Sequence, residues 1–218
     1  MKNKIQAVYP QSVFCSSTAS KLYIADFSER TNKERKVEFH EIIPKAPDNT
    51  SDMDCLAFEN FSQLSVVCNI FDDHQFKDTK GKDLPHCECL LFPESKRKDI
   101  GMAFVEIKDC KPKNISEYKA IVKNQIISAV QIFRDKGIIE KQRVYGVISF
   151  PRKNKVSFNQ TIFDDATEYK RLHQKYKVRF FPTNCVSIVD EKKLIAKLYA
   201  YSGGYPFSIS GDIRSVPS

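Results

Sequence analysis

The sequence predicts an α/β protein built on a mixed β-sheet flanked by helices, and three stretches carry that expectation. Residues 86–108 form two apolar runs around the charged turn "PESKRKDIG", the pattern of an antiparallel hairpin. Tyr118, Val122, Gln125, Ala129 and Phe133 then recur at helical spacing. "RVYGVISF" (143–150) is a near-continuous apolar run, typical of a central strand. At 218 residues the chain is read as one domain over 1–218, with a β-rich extension (1–45), a core (50–190) and a C-terminal segment (191–218).

In order along the chain, "SVFCSS", "KLYIADF" and "VEFHEIIP" read as strands of an N-terminal β-hairpin or meander, closed by Pro44. "KAPDNTSD" reads as a linker with helix caps, and "DMDCLAFENFSQLSVVCNIF" (52–71) as a first helix with a broad apolar face. After a polar loop come strands 86–92 and 102–108. A helix over 115–136 starts at Asn114, where Glu117 completes a capping box, and stops at Gly137. Past strand 143–150, "TIFDDATEYKRLHQKY" reads as an amphipathic helix. "KVRFF" with "CVSIV" reads as a strand or strand pair, and "EKKLIAKLYAY" as helical before a loop-rich tail.

Composition narrows the function classes. No apolar run approaches the ~20 residues of a membrane helix and no apolar signal core follows the N-terminus, so a soluble, cytoplasmic protein is expected, with no membrane partner. Seven cysteines, an odd number mostly inside apolar runs, suit reduced buried thiols. His86, Cys87 and Cys89 lack the C-x-x-C spacing of a zinc site. On an extended strand, Cys87 and Cys89 would face one way and His86 and Glu88 the other. The net charge is +8, and residues 140–200 hold thirteen Lys/Arg against six Asp/Glu, which favours a polyanionic partner, nucleic acid ahead of membrane.

The chemistry concentrates in the hairpin. Phe104, Glu106 and Lys108 share one face of the second strand, with Val105 and Ile107 on the other. Pairing with the first strand brings Glu88 to the same point. Two carboxylates with a backbone carbonyl such as that of Ile107 make a Mg²⁺ or Mn²⁺ site, and Lys108 is placed to orient a water or stabilise charge on a phosphate. Paired ions on a solvent-facing strand are the bland alternative.

The acid on a strand (Glu88), the turn, "FVEIK" (Phe104 to Lys108) and the helix that follows resemble the PD-(D/E)xK nuclease superfamily, which has a restriction-endonuclease-like α-β-β-α-β core. The resemblance covers about residues 50–150. It implies a metal-dependent nuclease acting on DNA phosphodiesters, with Glu88 and Glu106 as metal ligands and Lys108 as the catalytic lysine. Gln125 resembles the glutamine many members carry on the next helix, beside a reading as a buried amide satisfied by backbone. Glu59 is the candidate auxiliary acid on the preceding helix, beside a reading as an exposed helix residue. Glu88 departs from the commoner aspartate, and the proline lies three residues earlier, at Pro85. Lys111, Lys113, Arg152, Lys153 and Lys155 are candidates for meeting nucleic-acid phosphate. DNA is expected ahead of RNA, with recognition supplied by a second copy or a partner protein, and the resemblance implies most often a role in restriction or defence against phage. A non-catalytic nucleic-acid-binding or assembly module is the rival expectation, and a host-interaction protein with an accidental E-x-K a third.

Overall fold

The computed structural model describes residues 1–33, 36–111, 114–152 and 162–197. Its elements are helix α1 (Lys2–Val8), strands β1 (Val13–Ser17), β2 (Lys21–Asp26), β3 (Val37–His40), β4 (Leu56–Glu59), β5 (Val66–Ile70), β6 (Cys89–Pro93) and β7 (Gly101–Ile107), helix α2 (Ile115–Asp135), strand β8 (Arg143–Ser149), helix α3 (Ala166–Tyr176), and strands β9 (Val178–Pro182), β10 (Cys185–Ile188) and β11 (Leu194–Ala196). Two mixed sheets form where one was expected: six strands in the order β1-β5-β6-β7-β8-β9, and five in the order β11-β10-β4-β2-β3. Among the described residues no helix is long and apolar enough to cross a membrane.

Side-chain alternation explains the layering. Leu90, Phe92, Met102, Phe104, Ile148 and Phe180 point to a core completed by Ile5 of α1, by Val122, Ile126, Ala129 and Phe133 of α2, and by Leu172 of α3. The alternate residues Cys89, Leu91, Ala103, Val105, Ile107 and Val147 point to a second core, against Leu22, Ile24, Leu56, Phe58 and Val186 of the smaller sheet. The larger sheet is therefore covered on both faces, which is why β7 is buried at every position and is apolar throughout except at Glu106. Gly146 of β8 marks a close approach: an added Cβ would lie 2.9 Å from the Phe180 ring and 3.0 Å from Ile126 Cγ2. Gly146→Ala is expected to cost about 1–3 kcal/mol, read as an earlier urea midpoint with an unchanged slope.

Helix α2 runs as expected and ends before Gly137, whose φ of +67° suits glycine. Its start differs: Asn114 has φ −91° and ψ −4°, and its side chain caps nothing. An extended Ncap is what lets a side-chain oxygen turn back to the first amides. Asp165, at φ −156°, does cap α3, accepting from Glu168 N at 2.7 Å.

Several other expectations are corrected. Residues 52–71 form β4 and β5 instead of a helix. Asn60 breaks the segment: its side chain donates to Ala19 O and Leu64 O at 3.1 and 2.9 Å and accepts from Leu64 N at 3.0 Å, while Gln63 turns at φ +48°. Leu56 and Phe58 then bury on one face of β4, and β-branched Val66 and Val67 pack in β5. The N-terminal strands are not one meander: a helix precedes them, β1 pairs with β5, and only β2 and β3 pair with each other. The described part of the segment read as a late helix, residues 191–197, holds β11 over Leu194–Ala196, which pairs with β10. β10 itself joins β4 in parallel, so "KVRFF" and "CVSIV" serve different sheets.

Candidate active site

β7 and β8 run parallel, with α2 crossing between them, while β6 is antiparallel to β7. Glu106 sits near the C-terminal end of β7, opposite Ile148, and its side chain is fully buried. Lys108, just past the strand, is tied to β8 by its N–H, which donates to Ser149 O at 3.0 Å. Glu88 lies immediately before β6. Its N–H donates to Val105 O at 2.9 Å, although Val105 is the register partner of Cys89. Two residues thus face one, the pattern of a β-bulge. The extra residue breaks the alternation expected for Cys87 and Cys89, and they enter opposite cores, Cys87 with the helices and Cys89 between the sheets.

The three charged groups of the hairpin meet. Lys108 Nζ donates to Glu88 Oε1 at 3.0 Å and lies 2.8 Å from Glu106 Oε1. The second contact is an ion pair off the hydrogen-bonding direction, so both Glu106 oxygens are buried without a hydrogen-bond partner. Burial pushes the Glu106 carboxyl up to about 8; the Lys108 ammonium opposes the shift, and Glu88 and Asp26 add to it. Burial pulls on Lys108 in the other direction, but Glu106 and Glu88 outweigh it and hold the ammonium well above its ordinary range. The Cys87 thiol is held far up by burial, with Glu106 and Glu88 adding to the shift, so it stays protonated and inert.

The Glu106 shift has a sign for stability. Between the ordinary carboxyl value near 4.5 and about 8 the unfolded chain has released a proton that the folded chain keeps. This group's contribution therefore falls as pH rises through that window, by at most about 1.4 kcal/mol per pH unit. A divalent cation displaces the same proton, so Mn²⁺ is expected to raise the melting temperature more at pH 8 than at pH 6. An equal shift at both would place the cation elsewhere.

The remaining expected residues are dispersed. The Gln125 Nε2 amide donates to His86 O at 3.0 Å, and its Oε1 is buried without a partner. Gln125 thus anchors the segment leading to Glu88. The His86 ring packs edge-on to Phe71 and Phe76, with Nδ1 2.9 Å from Cys87 O. Ile107 buries its side chain between the sheets. Glu59 is on β4 of the other sheet, not on a helix; it pairs with Lys197 and accepts from Ser187 Oγ at 2.9 Å. The helix that precedes the strands is α1, which has no acid. Lys111 is exposed. Lys113, Lys153 and Lys155 lie outside the described residues, as does the "SGGYP" loop.

Arg152 is not a free cation. Its Nε lies 2.5 Å from Asp109 Oδ1 and its Nη2 2.6 Å from Oδ2, a bidentate fork. Arg30 Nε reaches the same carboxylate at 3.1 Å and Arg30 Nη2 reaches Asp54 at 3.3 Å, while Asp109 N–H donates to Asp26 Oδ2 at 3.3 Å. This buried clamp directly follows Lys108 and joins the two sheets at the site. Sequence reasoning missed Asp26, Arg30 and Asp109; the available signal was an acid closing each of the apolar runs "KLYIAD" and "FVEIKD".

In donor chemistry the site fits a divalent cation: Glu106 offers two buried oxygens, one beside the Lys108 ammonium and neither in a hydrogen bond, and Glu88 a partly exposed carboxylate next to them. Among the described residues no group of three or more His, Cys, Asp or Glu could hold a metal ion. Two carboxylates with water completing the shell is the usual arrangement for Mg²⁺. No protein-family model, curated protein or solved structure matches the chain.

Proposed function

We propose that the chain is a divalent-metal-dependent nuclease of the PD-(D/E)xK type that hydrolyses DNA phosphodiester bonds. The observation that carries this reading is the meeting of Glu88 and Glu106 on Lys108, at the joined ends of β6 and β7. The run β6, β7, α2, β8 supports it, with the last strand parallel to the one bearing E-x-K. Glu88 and Glu106 would hold Mg²⁺ or Mn²⁺, which when bound supplies a Lewis acid and lowers the pKa of a coordinated water. Lys108 stays charged at neutral pH and offers ammonium donors to phosphate oxygens as charge develops there. Gln125 acts as a positioning residue, through His86. Seven free cysteines suit a reducing cytoplasm, and a second copy or partner protein would supply recognition in a restriction or anti-phage setting.

The test is incubation of purified protein with supercoiled plasmid and Mg²⁺ or Mn²⁺. Nicking or linearisation that EDTA abolishes is expected, with loss in Glu106→Ala and Lys108→Ala; cleavage persisting in both variants would reject the assignment. One observation favours a second reading, a nucleic-acid-binding or assembly module without catalysis: the Lys108 ammonium already occupies the point where the two carboxyl groups meet. DNA binding without any Mn²⁺-dependent melting shift would select it.

A further inference from the structure

Beside the β7 end, a cleft of about 310 Å³ opens over the Asp109–Arg152 clamp. Its walls carry Glu29, Lys111, Asn114 and Tyr118. Asp109 and Arg152 are locked to each other and form a rigid floor. The walls are different. The Asn114 amide caps nothing, and no hydrogen bond or ion pair engages the Glu29, Lys111, Asn114 or Tyr118 side chains among the described residues. An amide, a carboxylate, an ammonium and a phenol that only solvent engages thus surround one concavity and are free to meet a ligand.

The chemistry of the lining selects among ligands. A bare anion is disfavoured, because Glu29 and Asp109 balance Lys111 and Arg152. A purely apolar ligand would strand four polar groups. A nucleotide answers each of them: a ring for the Tyr118 face, a base edge for the Asn114 amide, amine or sugar hydroxyl donors for Glu29, and a phosphate for Lys111. The volume suits one nucleotide and is too small for a duplex.

We propose that this cleft is a nucleotide subsite, which holds one unstacked base and its phosphate next to the strand end that carries Glu106 and Lys108. The choice of a nucleotide over another small polar molecule rests on the phosphodiester reading above. The consequence for substrate class is direct: an unstacked base comes from a single strand, a chain end or a flipped position, so continuous paired duplex is the poorer substrate.

Isothermal titration with each of the four 2′-deoxynucleoside 5′-monophosphates, in EDTA, tests the cleft without metal or turnover. Saturable binding of at least one is expected, about tenfold weaker in Tyr118→Ala and weakened again in Asn114→Ala, with Glu106→Gln at the wild-type level. Tyr118 also packs on the core, so Tyr118→Leu, which keeps apolar bulk without an aromatic face, should lose binding while melting normally. Tyr118→Phe should keep it. No saturable binding by any of the four, or inorganic phosphate binding as tightly as the nucleotides, would overturn the proposal. Binding without cleavage of plasmid or of single-stranded DNA would remove the nuclease reading and leave the cleft standing; cleavage without nucleotide binding would do the reverse.

Discussion

Glu106→Gln is expected to lower Mg²⁺-dependent cleavage by at least about 10²–10³-fold and to leave the melting temperature unchanged or higher. The carboxyl is fully enclosed and neither oxygen accepts a hydrogen bond, so burial keeps it protonated up to about pH 8 and its ionised form is a cost that only the nearby ammonium offsets. Glutamine matches its size and removes the charge, which relieves the fold and takes away the hard anionic donor a divalent cation requires. Plasmid cleavage and thermal melts on the same preparation separate the two effects. Cleavage near the wild-type rate would show that Glu106 is not at the reacting centre. A large fall in melting temperature would show that its charge holds the structure together.

Above pH 8, where Glu106 is ionised, Lys108→Met is expected to destabilise the fold by about 3–5 kcal/mol, the usual cost of stranding a buried charge. Without the ammonium, Glu106 and Glu88 face one another with nothing between them to neutralise either. The double variant Lys108→Met/Glu106→Gln should recover most of the loss, because the stranded carboxylate is then gone. Urea unfolding of the four proteins gives the coupling directly. The single-variant loss should also be larger at pH 9 than at pH 6, because the folded chain keeps the Glu106 proton up to about pH 8. Strict additivity across the cycle would mean that the three groups are neighbours without being an energetic unit.

What could be read in the sequence depended on how local the physics was. α2 was legible because its apolar stripe, its length and Gly137 all lie within one segment. β7 and β8 were legible because strands covered on both faces must be apolar throughout, which leaves Glu106 conspicuous. β4 and β5 were not, since their apolar residues also satisfy a helical pattern and the break between them comes from Asn60 bonding to Ala19, forty-one residues away. The second sheet was hidden for a related reason: β4 is paired by β2 and by the distant β10, and no local signal names such partners. At the site, the residue types of Glu88, Glu106 and Lys108 were visible, but the bulge at Glu88 was not, because it is a property of the pairing with Val105. Asp26, Arg30 and Asp109 escaped, and Arg152 was read as a phosphate contact, because the members of an ion-pair clamp look, in sequence, like any other surface ions.

The parallel pairing of β4 with β10 has a temporal consequence. Residues 56–59 find one of their two neighbours only when residues 185–187 arrive, after nearly all the intervening chain has been made. Until then β4 offers an open row of amides and carbonyls on a strand whose Leu56 and Phe58 are apolar, a template for other chains. Closing so long a loop is slow. The protein is therefore expected to fold late and in one concerted step, and a nascent chain stalled before residue 185 should aggregate where the finished chain does not.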